Sequence, residues 1–317
     1  MGKSKFLDMT DNTINHPNFI IGGTSAGGTS FLSAILVQHP QIYLPKDMRP
    51  EPHYFYKSWE YQKGVDYYLT RWFPSIPKTA IAVGERSSSY LFGGKSVAKK
   101  IFDAYPSMKF IFTLRSPVER TWANYRYTVL QGLEDLSFED ALMNEADRVK
   151  AQTGIWAEIQ PHNYTGRGFY ARQLRDYLEF FPKESILVIK SELLSSQTET
   201  ELSKIYNFLG LSVQEFDFIR APDHTSVNVI NPKLQMDLRR YFGDRFDKVI
   251  EAIRREEGLD IFNKCSLDSE KLELLSRNMT GSKLPMPTAV RSYLNNLFAA
   301  DLSDLSQIVD FDLSDWK

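Results

Sequence analysis

The sequence predicts an α/β protein with a central parallel sheet flanked by helices and a helical C-terminal cap. Short apolar runs with charged or turn residues on either side are typical of buried parallel strands. Helical patterns lie between these runs, and strands that alternate with helices at this spacing favour a parallel sheet with helices on both faces. With 317 residues, of which 42% are hydrophobic and 25% charged, the chain can bury a substantial core.

The predicted elements follow one another along the chain. Strands are predicted at 19–21, 80–85, 109–115 and 185–190. Helices are predicted at 29–38, 118–130, 170–181 and 199–209 and then, after Pro232, at 234–255, 268–278 and 288–298. Residues 278–287 have the composition of a loop. We expect a single domain in which 1–17 form an N-terminal extension and 233–317 a mainly helical cap, and the alternative is a separate C-terminal helical domain.

Composition excludes several classes of function. A net charge of −2 predicts no general attraction to nucleic acid or to anionic membranes. There is one cysteine, Cys265, and the five histidines lack metal-ligand spacing, so we expect neither an internal disulfide nor a metal cofactor. The N-terminus has no apolar signal-peptide region, and no stretch approaches the roughly 20 apolar residues of a membrane span. We therefore expect a soluble, cytoplasmic protein, whose oligomeric state the sequence does not indicate.

The stretch "IIGGTSAGGTSFL" from Ile20 to Leu32 predicts an anion-binding loop and makes the fold P-loop-like. Glycines after a strand let the backbone turn closely around a ligand, and the first N–H groups of the following helix attract a phosphate. The predicted binding residues are Gly23, Thr24, Ser25, Ala26, Gly27, Gly28, Thr29 and Ser30. The alternative is that this turn only connects a strand to a helix.

The charge of the loop narrows the choice of ligand. Thr29 stands where nucleotide triphosphatases carry the lysine that neutralises the β and γ phosphates, and no strand ends in an evident Walker B aspartate. A P-loop kinase is therefore a weak alternative. A ligand with fewer charges at this end, such as a 5′-phosphosulfate, fits the loop better.

Five motifs in order resemble the sulfotransferases that use 3′-phosphoadenosine 5′-phosphosulfate (PAPS), and most closely the carbohydrate branch that includes the heparan sulfate enzymes and bacterial relatives. Besides the loop they are "RPEPHYF" (49–55), "VGERSSSYL" (83–91), "FTLRSPVERTWANYRY" (112–127) and "GRGFYARQLRDYLEFFPKESILVIKSELL" (166–194). The resemblance covers most of the chain. It implies direct, in-line, metal-free transfer of a sulfuryl group from PAPS to a carbohydrate or similar hydroxylated acceptor, with PAP as the product.

The resemblance also implies roles for individual residues. Glu51 falls at the catalytic-base position, and His53 is the rival base, which shares the face of Glu51 if this segment is extended. Arg86 replaces the lysine of the family's G-E-K-S motif and could steady the bridging oxygen or the acceptor.

Two arginines are the candidates for contacts with the nucleotide. Arg115 ends a predicted strand, where its guanidinium could bind the 3′-phosphate in a bidentate manner. The alternative is that Arg115 is solvated and forms an ion pair with Glu119. Arg167 and Gly168 are expected to form a second contact with the nucleotide, unless they belong to an ordinary surface turn.

The chain departs from the family pattern at two positions. Ala26 replaces the loop lysine that stabilises charge on the departing PAP, and Arg86, Lys46 and Arg49 are the candidate substitutes. Ala123 replaces a serine that helps to hold the 3′-phosphate. The second hypothesis is therefore a PAPS- or PAP-binding protein with impaired catalysis.

The neighbouring Asn124 is the only candidate to compensate for Ala123. On a helix, however, it points about 100° away from its neighbour.

Overall fold

The computed structural model describes residues 16–46, 48, 50–212, 217–219, 227–254, 268–282 and 284–316. Arg49, Cys265 and the first 15 residues of the predicted N-terminal extension lie outside the described residues. The described chain falls into two compact units, one made of 16–114 and 173–219 and the other of 115–172 and 227–316. The expectation of a single domain stays a prediction.

A five-stranded parallel sheet forms the centre of the first unit, as predicted. Its strands, in the order β2-β3-β1-β4-β5, are β1 (Phe19–Gly23), β2 (Ile42–Tyr43), β3 (Ala82–Arg86), β4 (Lys109–Leu114) and β5 (Ile186–Lys190). All five residues of β1 are buried, which is the reason that it reads as a continuous apolar run. The sequence did not reveal β2, because two residues are too short to show a periodicity.

Helices connect the strands of the sheet and continue through the second unit. In chain order they are α1 (Thr29–Leu36), α2 (Ser58–Tyr61), α3 (Val65–Trp72), α4 (Tyr90–Ala104), α5 (Pro117–Leu130), α6 (Phe138–Met143), α7 (Glu145–Ala151), α8 (Ile155–Ile159), α9 (Tyr170–Leu178), α10 (Ser191–Ser196), α11 (Thr198–Leu209), α12 (Pro232–Phe242), α13 (Phe246–Arg254), α14 (Ser269–Arg277) and α15 (Thr288–Leu305). All seven predicted helical segments contain helix. The intervening α2, α3, α4, α6, α7, α8 and α10 were not predicted.

Aromatic packing against β4 shows how the sheet builds its core. Strand geometry places Phe110 and Phe112 on one face, and their rings stack at 5.7 Å. Both rings meet Tyr177 edge-on, with ring centroids 5.1 and 5.0 Å apart. All three side chains are fully buried, so this layer anchors the strand whose carboxyl end leads to Arg115.

The C-terminal part of the second unit is mainly helical, as predicted. The expected helix 234–255 is instead two helices, because Gly243 adopts φ 54°, a left-handed conformation that ends α12 before α13 begins. Within the expected loop 278–287, Met279–Thr280 (β7) pairs antiparallel with Asn228–Val229 (β6). Among the helices that the structure describes, none has the length and apolarity needed to cross a bilayer.

Candidate functional site

The predicted anion-binding loop connects β1 to α1. Gly28 is the N-cap residue of α1 at φ 92° and ψ 6°, a left-handed conformation that favours glycine. No capping side chain accepts a hydrogen bond from the N–H groups of the first helical turn. The structure therefore shows the strand–turn–helix geometry in which backbone amides can bind an anion.

Close backbone packing explains the adjacent glycine. A Cβ at Gly27 would lie 2.7 Å from the carbonyl oxygen of Thr113 and 2.7 Å from Cγ2 of Thr24. The amides of Thr24 and Gly27 are engaged inside the protein, donating to Thr113 O at 2.8 Å and to Thr24 O at 2.9 Å. Of the predicted binding residues, Thr24 and Gly27 thus use their amides in internal hydrogen bonds that fix the conformation of the loop.

Ala26 lies at the exposed tip of this loop. Its φ of 64° is unusual for a residue other than glycine and costs about 1 kcal/mol. The methyl group carries no charge, so any cation at the loop must come from elsewhere in the chain.

Arg86 brings a cation to the loop. The register Ile21↔Arg86 places the end of β3 beside β1. The Arg86 Nη1 donates to the hydroxyl of Ser30, in the first turn of α1, and Nη2 donates to the carbonyl of Met48 at 3.1 Å. The side chain is buried, whereas Lys46, another candidate substitute, is exposed. Arg86 is therefore the predicted substitute that contacts the loop.

Glu51 and His53 lie on the other side of the same guanidinium. Oε1 of Glu51 is 3.5 Å from Nε of Arg86, and Oε2 is 3.2 Å from Nε2 of His53. Ser88 donates to Oε2 through its amide at 2.7 Å and its hydroxyl at 2.8 Å. His53 has φ 46°, so the segment is not extended, and the two side chains meet through a turn. The structure thus joins Ser30, Arg86, Glu51 and His53 in one cluster.

The serines that follow β3 were not predicted to be part of the site. Ser88 holds Glu51, and the hydroxyl of Ser87 accepts the amide of His53 at 2.8 Å. The sequence feature that could have indicated these serines was the run of hydroxyl residues in "VGERSSSYL". Glu85, in the same segment, is fully buried, and burial above all raises its pKa from 4.5 to about 7.

Arg115, in the second unit, acts electrostatically on two other arginines, Arg120 and Arg126. Its carbonyl accepts the hydroxyl of Tyr170 at 2.9 Å, and its side chain is half-buried. Burial first, and the positive charge of Arg115 second, lower the pKa of Arg126, while burial lowers that of Arg120 to about 10. At neutral pH the Arg120 guanidinium is therefore charged. The alternative partner Glu119 pairs with Arg291 at 2.7 Å.

Internal contacts account for the other predicted residues of this unit. Arg167 is buried and donates through Nη2 to Ile159 O at 2.7 Å. A Cβ at Gly168 would lie 2.8 Å from the ring of Phe298, so packing alone explains this glycine. Their contacts with the nucleotide remain predictions.

Asn124 is engaged by its own helix. Its Oδ1 accepts Nη1 of the buried Arg120 at 3.0 Å, and its Nδ2 donates to the hydroxyl of Thr128 at 3.4 Å. It can replace the serine missing at Ala123 only if these contacts rearrange. In the part of the chain that the structure describes, no group of three or more His, Cys, Asp and Glu residues is arranged to hold a metal ion.

Comparison with known proteins identifies the family. The model of the sulfotransferase domain family matches residues 16–233, which include the loop, the cluster around Arg86 and the Arg115 segment. The chain belongs to this family. The crystal structure of a sulfotransferase from Alicyclobacillus acidocaldarius is similar, with a TM-score of 0.68 and 25% identity over 96% of this chain and 99% of that one. The parallel sheet with flanking helices is thus the fold of a sulfotransferase.

Two further relatives match a smaller part of the chain. A membrane-associated sulfotransferase of Dictyostelium discoideum is 23% identical, covering 76% of this chain and 66% of its own length. The heparan sulfate glucosamine 3-O-sulfotransferase 3B1 of Mus musculus is 31% identical, covering 62% of this chain and 46% of its own. The chain therefore spans about half to two thirds of the length of the relatives it matches.

Proposed function

We propose that the protein transfers the sulfuryl group of PAPS to a hydroxyl or amine of a carbohydrate or similar acceptor. The observation that carries the proposal is the contact series Ser30–Arg86–Glu51 beside the start of α1. It places a cation and a carboxylate next to an anion-binding loop, which are the three components that sulfuryl transfer needs. Family membership and the heparan sulfate relatives support a glycan acceptor.

The loop residues Ser25, Ala26, Gly28, Thr29 and Ser30 would bind the phosphosulfate end of PAPS. Their amides do not donate hydrogen bonds to Thr113 or Thr24, and the dipole of α1 favours a negative charge at its N-terminus. Backbone donors do not depend on side-chain identity. This binding therefore tolerates the replacement of the family's lysine by Ala26.

Glu51 would act as the base in a single in-line step. The acceptor oxygen or nitrogen forms a bond to sulfur while the bond between sulfur and the bridging oxygen of PAPS breaks. Glu51 takes the acceptor proton, and Arg86 stabilises the negative charge on the departing PAP. His53 contacts Glu51 and remains the rival base. No covalent intermediate on the protein is required.

The positive charges around Arg115 support its predicted contact with the 3′-phosphate. In addition to burial, which has the larger effect, its charge lowers the pKa of both Arg120 and Arg126. Such repulsion is expected where guanidiniums are only partly compensated by carboxylates, and a phosphate would relieve it. Arg167 and Gly168 are retained as weaker candidates for contacts with the nucleotide.

The uncharged tip at Ala26 favours a second candidate, a PAP-binding protein with impaired catalysis. Incubation with sulfur-labelled PAPS and a panel of glycans, glycolipids and small alcohols separates the two. Transfer of label supports the enzyme, and PAP binding without transfer to any acceptor supports the second candidate. Magnesium-dependent ATP binding without PAP binding would instead indicate a kinase and contradict both.

A further inference from the structure

We propose that Glu85 is a positioning residue that sets the place of Glu51 and His53 through a buried relay of hydroxyl groups. This inference rests on the proposed function, because it assigns Glu85 a part in the same reaction. Glu85 is fully buried at the end of β3. Its carboxylate accepts three hydroxyls, from Ser87 at 2.6 Å, Tyr68 at 2.9 Å and Tyr90 at 2.8 Å.

Two of these hydroxyls continue to the backbone of the segment that carries Glu51 and His53. Ser87 Oγ accepts the amide of His53 at 2.8 Å, and the hydroxyl of Tyr90 accepts the amide of Phe55 at 3.2 Å. Each hydroxyl therefore links Glu85 to one amide. The two amides are two residues apart, so together they fix both the position and the direction of the segment.

The polarity of the relay follows from the chemistry of its members. Above about pH 7, where Glu85 is ionised, its carboxylate only accepts hydrogen bonds, and each hydroxyl has a single proton to donate. Ser87 and Tyr90 give that proton to Glu85, which leaves their lone pairs for the amides of His53 and Phe55. A carboxylate at this position is what orients both hydroxyls in the way that the amides require.

Neighbouring residues at and after the end of β3 contact different parts of the segment that carries Glu51 and His53. Glu85 and Ser87 hold the backbone of the segment, whereas Arg86 and Ser88 contact the carboxylate of Glu51. Within β3, the alternation of the strand sends the side chains of Glu85 and Arg86 to opposite sides. The hydrogen bonds of the Glu85 carboxylate go to Ser87, Tyr68 and Tyr90, so Glu85 acts through these neighbours.

The test replaces Glu85 with glutamine, which has the same shape but a donor in place of one acceptor. One hydroxyl must then reverse or lose its partner. At pH 8, where Glu85 is ionised, we expect amide hydrogen exchange at His53 and Phe55 to accelerate at least about tenfold relative to β1 and β4. We also expect kcat to fall about 10- to 100-fold while KM for PAPS changes less than about threefold, as a small displacement of reacting groups produces.

Tyr68→Phe is the matched control. It removes one hydroxyl donor to the same carboxylate but serves neither amide, so we expect kcat and exchange at both amides to stay within about threefold of wild type. Ser87→Ala, which interrupts one branch alone, should accelerate exchange at His53 and leave Phe55 unchanged. This variant tests the relay if Glu85→Gln does not fold.

The outcomes separate the inference from the proposed function. If the wild type transfers sulfate and Glu85→Gln keeps both its kcat and its exchange rates, the inference is wrong and the function stands. Equal loss in Glu85→Gln and Tyr68→Phe would also overturn it, because it would indicate general destabilisation. If the wild type transfers no sulfate, the function fails, and unchanged exchange at His53 in Ser87→Ala would overturn the relay as well.

Discussion

The two regions assigned to anion binding are built differently. In the first unit, the loop before α1 offers backbone amides, and one guanidinium, Arg86, lies against it with its charge balanced by Glu51. In the second unit, the region of Arg115 contains guanidiniums whose pKa is lowered by burial and then by their mutual repulsion. The first region is therefore suited to stabilising charge that develops during a reaction, whereas the second is suited to holding charge already present.

Among the variants that test this contrast, Arg86→Met is expected to have the largest effect on activity. Loss of a preorganised cation at the departing oxygen should lower kcat about 10²- to 10³-fold. Affinity for PAP should change less than about threefold, because the loop amides remain. Steady-state kinetics and calorimetric titration with PAP measure the two quantities. A loss confined to PAP affinity would show that Arg86 only binds nucleotide.

One contribution to the pH dependence of stability should arise in the first region, from Glu85. The folded protein keeps the proton of Glu85 until about pH 7, whereas the unfolded chain releases it near 4.5. The contribution of Glu85 is therefore fully present below pH 4.5 and is lost as pH rises to about 7, a change of about 3 kcal/mol.

Denaturant melts of wild type and Glu85→Gln between pH 4 and pH 8 measure this change as a difference of slopes. Besides Tyr68 and Tyr90, the charge of Glu51 acts on Glu85, so Glu51→Gln is the control for coupling. Arg120, a buried charged residue of the second unit, has a pKa of about 10 and should contribute no slope in this range. Parallel slopes in the two proteins would contradict the prediction.

Arg115→Met should weaken the binding of PAP without slowing the chemical step. Loss of a charged hydrogen bond worth about 1.5–3 kcal/mol should weaken PAP binding about 10- to 100-fold. We expect kcat at saturating PAPS to change little. Arg291→Met, which removes the partner of Glu119, is the matched control and should leave PAP affinity unchanged. Equal weakening in both variants would point to unfolding of the unit.

The smallest expected effect is a gain in Ala26→Lys. Ala26 already adopts a left-handed conformation, so lysine adds little backbone strain, and its exposed position leaves room for the chain. A second cation at the loop should raise kcat up to about tenfold, which single-turnover transfer from PAPS measures. No gain alongside normal wild-type activity would show that Arg86 already supplies the charge that the reaction needs.

Local patterns accounted for much of the fold. The apolar runs at β1, β3, β4 and β5 are strands of the sheet, and "GGTSAGGTS" is a strand–turn–helix connection. The short β2 and the four-residue α2 escaped detection because a periodicity needs more residues than they have. The division of 234–255 at Gly243 was missed because a glycine within a helical pattern is tolerated as often as it ends the helix.

The amino-acid sequence alone sets the order of the strands and helices and the residue types offered at the loop, because burial and glycine conformations leave local traces. Only the folded structure reveals that Arg86 contacts Ser30, that Ser88 holds Glu51 and that Glu85 connects to the backbone of His53 and Phe55. These partners lie more than 30 positions apart or act through an intermediate hydroxyl. Their meeting depends on the register of parallel strands and on packing, which no local pattern records.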